Sequence, residues 1–184
     1  MSELKKLQLK ASKAFDTYLS KYADNMQCQK GCSNCCYTDL TIMSWEESLI
    51  YEWFAKLSPD EKSDLKKRWN NNKNPKSKIV FNQPALPCAF LIDDQCSIYE
   101  ARPIICRTQG MFVTWTEEKA EIKRSVCPLN FENESNAKKE DDLNLDTLNY
   151  MSVMAQKIYD SSHSTQNEKQ RTSLAQIKTN LMNS

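Results

Sequence analysis

Several stretches of the chain carry apolar residues at every third or fourth position, the period of an amphipathic helix. This pattern predicts four helices, over about 3–26, 44–57, 58–70 and 146–159. The second and third also have start signals, because Ser44 with Glu47 and Ser58 with Glu61 have the spacing of a capping box. Helices therefore make up much of the predicted fold.

Other stretches alternate polar and apolar residues or form short apolar runs, which is typical of strands. A strand is predicted within 37–43. Two hairpins are predicted farther along, with 89–92 and 97–99 flanking Asp93-Asp94-Gln95, and 111–115 and 119–124 flanking Glu117-Glu118. The polar runs 70–78 and 132–142 are predicted to be loops.

Together these elements predict an α+β fold, with helices around a small, irregular, cysteine-rich core that contains short β-hairpins. We expect one metal-binding domain over 1–160, with its motif core at 28–128. Residues 161–184 are expected to form either a C-terminal helix, with Leu174, Ile177 and Leu181 at helical spacing, or a flexible tail. The apolar face of helix 146–159, which includes Met151 and Met154, is expected to pack in the core.

Composition narrows the classes of function. The 25 Lys+Arg nearly balance the 24 Asp+Glu, so charge gives no case for a nucleic-acid partner. No apolar run approaches the roughly 18 residues of a membrane-spanning helix, and Met1–Lys6 do not resemble a signal peptide. We therefore expect a cytoplasmic protein that has no membrane partner and whose cysteines stay reduced.

All eight cysteines lie between Cys28 and Cys127, and they form two groups. The first is the loop Cys28-Gln29-Lys30-Gly31-Cys32-Ser33-Asn34-Cys35-Cys36, whose short spacings allow thiolates to surround one centre. Adjacent side chains point apart in extended backbone, so Cys35 and Cys36 are difficult to place on one metal. We expect one of them to bind this centre and the other to bind a second centre or to pack in the core.

The second group is widely spaced and contains Cys88, Cys96, Cys106 and Cys127. The only histidine, His163, lies in a polar stretch, so the ligands are expected to be thiolates, which suit zinc and iron–sulfur clusters equally. Eight thiols divide into two tetrathiolate sites, or into one site and structural cysteines. The cations that would offset the negative charge are Lys30, Arg102, Arg107, Lys123 and Arg124. For Arg102 and Arg107, an ordinary surface position is as consistent with the sequence as a role beside the metal. Tyr99 fits a core position better than a catalytic one.

The segments Pro87-Cys88-Ala89-Phe90-Leu91 and Cys96-Ser97-Ile98-Tyr99-Glu100-Ala101-Arg102-Pro103-Ile104-Ile105-Cys106-Arg107 resemble the YkgJ-type cysteine-cluster family. That family is described as zinc- or iron-chelating and often as containing an iron–sulfur cluster. The resemblance covers 28–128, with Cys127-Pro128 as the trailing cysteine, and it implies metal binding through cysteine ligands. A related branch includes flagellin lysine methylases, which need S-adenosylmethionine. This chain has no glycine-rich cofactor loop, so we do not carry that activity over.

We therefore expect an iron–sulfur protein, with a [4Fe–4S]-type cluster held by Cys28, Cys32, Cys35 or Cys36, and one remote cysteine. The remaining thiols would bind a second metal. Arg102, Arg107 and Tyr99 would lie beside the cofactor, where the arginines would tune its charge or hold an anion. The cluster would act in redox chemistry or in modification of a protein or peptide partner, and the sequence identifies no catalytic residue.

Two other interpretations remain open. One is a structural zinc module, in which two Zn(Cys)₄ sites stabilise the fold and the surface binds a protein partner. The other is thiol redox sensing by Cys35 and Cys36, although a disulfide between adjacent cysteines is strained.

Overall fold

The computed structural model describes residues 3–72, 76–132, 137–163 and 171–184. The helices are, in chain order, α1 (Glu3–Lys21), α2 (Ser44–Ala55), α3 (Pro59–Asn71), α4 (Ile104–Arg107), α5 (Leu145–His163) and α6 (Leu174–Asn183). The strands are β1 (Thr41–Met43), β2 (Lys78–Val80), β3 (Gln83–Ala85), β4 (Leu91–Ile92), β5 (Gln95–Cys96), β6 (Val113–Thr116), β7 (Ile122–Ser125), β8 (Leu143–Asn144) and β9 (Arg171–Ser173). Helices combined with short, mostly antiparallel strands confirm the α+β class.

The chain divides into two compact units. Unit 1 comprises Met1–Gln29 and Ile104–Gln166, and unit 2 comprises Lys30–Pro103 and Asn167–Ser184. These units describe how the chain packs. That residues 1–160 act as a single metal-binding domain stays a prediction.

Unit 1 is built around α1 and a three-stranded sheet. In that sheet β6 pairs antiparallel with β7 and parallel with β8, which confirms the predicted hairpin around Glu117-Glu118. α1 ends five residues before the predicted boundary, and a 3-10 turn follows at Ala23–Asn25. The core is largely aromatic and contains Tyr18, Tyr22, Met26, Met111, Phe112, Phe131 and Ala137.

α5 of unit 1 is longer than predicted, and its apolar face is only partly covered. Met151 is 37 % exposed and Ile158 is 52 % exposed, so the expectation that the whole face packs in the core is wrong. Among the described residues of this helix, Ala155 alone is buried. Of the predicted loop 132–142, residues 133–136 lie outside the described residues, and Lys139–Asp141 form a 3-10 turn.

Unit 2 packs α2, α3 and α6 around a second core. Its buried residues are Ile42, Ile50, Phe54, Leu65, Trp69, Phe90, Ile92, Ile98, Ala101, Leu174, Ile177 and Leu181. α6 is therefore attached to its own unit by the three apolar residues identified in the sequence, and β9 before it pairs antiparallel with β1. Residues 164–170, in the predicted C-terminal helix or tail, lie outside the described residues.

The N-terminal caps of α2 and α3 in unit 2 are different. Ser58 and Glu61 make the predicted capping box at the start of α3. At α2 the predicted box is wrong, because Met43 occupies the cap position and makes no side-chain cap hydrogen bond. The Glu47 carboxylate accepts hydrogen bonds from the hydroxyls of Tyr51 (2.8 Å) and Thr172 (2.7 Å) instead. One of these two partners, Thr172, lies 125 positions away in the sequence.

Two hairpins of unit 2 reverse direction through residues with positive φ. β4 and β5 form the predicted hairpin, with Asp93 (φ 49°) and Asp94 (φ 56°) as a two-residue turn that suits right-handed strand twist. β2 and β3 form another hairpin, which the sequence analysis did not specify. It follows the predicted loop 70–78, of which residues 73–75 lie outside the described residues.

Candidate metal centre

Cys35 and Cys36 lie together on a 3-10 turn, Asn34–Cys36, in unit 2. Successive residues of such a turn are rotated by about 120°, whereas those of an extended strand point to opposite sides. The backbone here is not extended, and the two thiols form a hydrogen bond. The expectation that these side chains point apart is therefore wrong, because it assumed extended backbone.

Backbone hydrogen bonds bring Cys88 and Cys96 to the same place. The Cys88 N–H donates to the Cys36 carbonyl at 2.6 Å, and the Leu91 N–H donates to the Cys88 carbonyl at 2.9 Å. Leu91 pairs with Cys96 across the β4–β5 hairpin. Both cysteines are half-buried and pack against the core of unit 2. We call Cys35, Cys36, Cys88 and Cys96 the unit 2 quartet.

A side-chain contact also joins the cysteine loop to the β4–β5 turn. The Ser33 hydroxyl donates a hydrogen bond to the Asp94 carboxylate. Ser33 is buried, and the half-buried Cys32 directly precedes it. Cys32 lies in unit 2, on the same loop as Cys35 and Cys36.

The quartet thiols influence one another electrostatically. The Cys36 thiol donates to the Cys35 sulfur, and this hydrogen bond, with a smaller contribution from the positive charge of Arg102, lowers the pKa of Cys35 to about 7 although burial opposes the shift. The same hydrogen bond raises the pKa of Cys36, and burial and the charges of Cys35, Cys96 and Cys88 add to this. Burial raises the pKa of Cys88 to about 11. A bound cation would relieve the repulsion between neighbouring thiolates.

Arg102 is the predicted cation that acts on the quartet. Its guanidinium carbon lies 3.8 Å from the centroid of the Tyr99 ring. Tyr99 is 55 % exposed, so a core position for it is wrong, and it serves as a platform for Arg102. Lys178 on α6 also faces Cys88, and burial lowers the pKa of this lysine. No sequence motif singles out Lys178, because only the packing of α6 within unit 2 brings it near Cys88.

The other predicted cations have different surroundings. Arg107 is 6 % exposed, which excludes a surface position, and its Nη1 donates to the Ser12 hydroxyl of α1 at 2.8 Å. Arg124 donates twice to the Asp142 carboxylate, at 2.6 and 2.9 Å. Lys123 pairs with Glu121 at 2.8 Å, and Lys30 is exposed. Arg124 and Lys123 thus have carboxylate partners in unit 1.

Unit 1 holds the other three cysteines, Cys28, Cys106 and Cys127. Cys28 packs against the aromatic core, and its sulfur accepts a hydrogen bond from Asn130 Nδ2 at 3.3 Å. Cys106 lies on α4, and the Cys127 carbonyl accepts from the Asn130 N–H at 2.9 Å. No sequence motif singles out Asn130. Its one sequence signal is its position just after the Cys127-Pro128 turn.

The chemistry of the quartet fits a soft metal or an iron–sulfur cluster, since its donors are thiols and it contains no histidine. His163 ends α5 in unit 1, where its ring stacks on Tyr159. In the described part of the chain, no three or more His, Cys, Asp or Glu side chains are already arranged as a metal site. Because zinc–sulfur bonds are about 2.3 Å long, binding would require the quartet side chains to close further.

A family model matches residues 27–128, which is more than half of the chain. The model is named CxxCxxCC and is described as "Putative zinc- or iron-chelating domain". The chain belongs to this family, whose description supports metal binding and leaves the choice between zinc and iron open. No curated protein and no solved structure matches the chain. Among the described residues, no helix is both long enough and apolar enough to cross a membrane.

Proposed function

We propose that this protein binds an iron–sulfur cluster, of the [4Fe–4S] type, through cysteine thiolates. The observation that supports the proposal is the unit 2 quartet, in which a turn and a hairpin place four cysteines on adjoining segments of the backbone. Four cysteine ligands are the usual complement of such a cluster. Cys28, Cys32, Cys106 and Cys127 are proposed as further metal ligands, which keeps the ligand role predicted for all eight cysteines.

The adjacent pair favours a cluster over a single zinc ion. Zinc requires all four ligands in a tetrahedron about one atom, a difficult geometry for two neighbouring residues. A cluster contains several irons, so Cys35 and Cys36 could each bind a different one. Arg102 would offset part of the negative charge, since its charge already acts on Cys35.

When bound, such a cluster would supply one-electron transfer, and we propose a redox role for the protein in the cytoplasm. The other role consistent with a cluster is modification of a protein or peptide, which would need an iron that lacks a protein ligand. Either role first requires thiols that bind the cluster. The quartet supplies them, and the charge of Arg102 acts on one of them.

The second candidate is a structural zinc module that binds a protein partner. One observation favours it: the β2–β3 hairpin presents Ile79 (67 % exposed) and Phe81 (47 %) to solvent, and Leu86 directly after the hairpin is 64 % exposed. This hairpin is close to the quartet, because Lys78 Nζ lies 3.9 Å from the centroid of the Tyr37 ring and Tyr37 follows Cys36. Exposed apolar side chains on one hairpin are typical of a protein-binding surface.

Metal and acid-labile sulfide analysis of protein purified without oxygen distinguishes the candidates. Iron with an equal amount of sulfide and a broad visible absorption is the expected result. Zinc at about two ions per chain without colour would replace the cluster by the zinc module. Neither metal nor sulfide, together with reversible oxidation of Cys35 and Cys36, would contradict both candidates and favour redox sensing.

A further inference from the structure

Asn130 connects the segment around Cys28 to two other segments of unit 1. It is 2 % exposed, and its side-chain oxygen accepts from the Gln27 N–H at 2.8 Å. Its Nδ2 donates to the Gly110 carbonyl at 2.8 Å and to Cys28 Sγ at 3.3 Å. Its own N–H donates to the Cys127 carbonyl. The buried side-chain amide therefore contacts Gln27, Cys28 and Gly110, while the backbone of the same residue holds Cys127.

Gly110 makes room for this arrangement. Its φ is 100°, a conformation that side-chain-bearing residues rarely adopt. A Cβ at this position would lie 2.4 Å from Cys28 Sγ and 3.1 Å from Asn130 Nδ2. The Cys28 sulfur is thus held between a backbone without a side chain and a buried amide donor, which leaves it little freedom to turn.

We propose that Asn130 is a positioning residue that presents the Cys28 thiolate to a metal in unit 1. The proposal rests on the proposed function, because it takes Cys28 to be a ligand. It adds a residue that lies outside the matched family range of 27–128. The amide acts in two ways: its oxygen fixes the backbone at Gln27, and its N–H donates to the sulfur and stabilises the negative charge of the thiolate.

Asn130→Asp separates these two actions. The substitution keeps the size of the side chain and an oxygen for the Gln27 N–H, but it removes both N–H donors. Asn130→Ala removes the donors and also the oxygen that accepts from Gln27, but it buries no charge, so it covers the case in which the aspartate variant does not fold. Asn149→Asp, on the exposed side of α5 in the same unit, is the matched control for added charge.

Affinity is measured by chelator competition for the metal that the wild-type protein holds. Loss of an outer hydrogen-bond partner typically weakens metal binding about 10- to 100-fold, and we expect this for both Asn130 variants. The sulfur-to-metal absorption band should also shift, with Co²⁺ replacing zinc if the protein holds zinc. Asn149→Asp should change neither quantity.

Repeating Asn130→Ala in a Cys28→Ser background shows whether the amide acts through the sulfur. The proposal predicts no further loss of affinity there. An equal loss with and without Cys28 would overturn it, as would Asn130 variants that behave like Asn149→Asp. If Cys28→Ser alone leaves affinity unchanged, Cys28 is not a ligand and the inference fails while metal binding stands. Wild-type protein without metal would overturn the proposed function itself, before any variant is made.

Discussion

The two units hold their cysteines in different ways. In unit 2, backbone hydrogen bonds between a turn and a hairpin place the quartet, and Cys88 and Cys96 rest on the core formed with α2, α3 and α6. In unit 1, Cys28 is held by one side-chain amide and by the close approach of Gly110. The quartet should therefore be sensitive to the stability of its core, whereas Cys28 should be sensitive to single residues that touch it.

The largest expected effect is on the core that supports the quartet. Trp69 packs against Phe54 and Phe90, with ring centroids 6.0 and 5.5 Å away, and its Nε1 donates to the Ser97 hydroxyl next to Cys96. Trp69→Ala should lower the free energy of unfolding by about 3–5 kcal/mol and reduce metal content. Denaturant unfolding and metal analysis measure the two effects.

Trp115→Ala is the control for that substitution. Trp115 is half-buried on β6 of unit 1, and its indole lies 3.4 Å from Glu117. It should cost much less than the core tryptophan. Equal losses for the two variants would mean that the core of unit 2 has no special role in supporting the quartet.

The next effect tests a polar contact of unit 1 that does not involve cysteine. The Asp142 side chain is 1 % exposed and pairs with Arg124, which also lies over the Phe112 ring at 3.6 Å. Arg124→Met should cost about 3 kcal/mol, because it leaves a buried carboxylate without its partner. Lys123→Met, which removes an exposed pair, should cost less than about 1 kcal/mol. Similar unfolding free energies for the two variants would show that Asp142 is not effectively buried.

The two glycines sharpen the comparison between the units. Both have positive φ, so alanine at Gly31 or Gly110 should cost about 1–2 kcal/mol through backbone strain. A Cβ at Gly31 has nothing within 4 Å, whereas one at Gly110 overlaps Cys28 Sγ. Gly110→Ala should therefore cost more than Gly31→Ala and should also weaken metal binding. Calorimetry with metal titration tests this, and an equal or reversed order would contradict it.

The smallest effect depends on pH. Hydrogen bonds from Lys21 and Tyr22 lower the pKa of Asp141, so its stabilisation exists above the unfolded pKa and disappears as pH falls through the folded value. Asp141→Asn should lower the Tm at neutral pH, and the difference from wild type should vanish well below about pH 4. Glu140→Gln, an exposed neighbour, should show little change at either pH. A difference for Asp141→Asn that persists in acid would argue against the ion pair as its cause.

Local signals predicted much of the fold. The capping box at Ser58, the hairpin at Asp93-Asp94 and the spacing of Leu174, Ile177 and Leu181 each report interactions within a few residues, and each is present in the structure. The box at Ser44 failed because Ser44 is already helical and Met43 occupies the cap position, while Glu47 bonds to Thr172, which approaches only when β1 pairs with β9. Pairing between strands this far apart leaves no pattern in either strand.

For the candidate site, the sequence identified the cysteines but not their grouping. Cys35 and Cys36 were expected to diverge, because spacing alone does not reveal that the backbone turns there. Arg107 looked like a surface residue or a charge beside the cofactor, and its burial against Ser12 depends on how α4 packs on α1. Asn130 and Lys178 carry no motif, and only tertiary contacts connect them with cysteines.

The central claim is that the quartet forms one metal centre, and single substitutions test it most directly. Cys35→Ser, Cys36→Ser, Cys88→Ser and Cys96→Ser are purified without oxygen and analysed for iron, zinc and sulfide beside the wild type. We predict that each variant loses the same fraction of the metal, because each removes one ligand of a shared centre. Full wild-type metal content in Cys88→Ser and Cys96→Ser would contradict the claim.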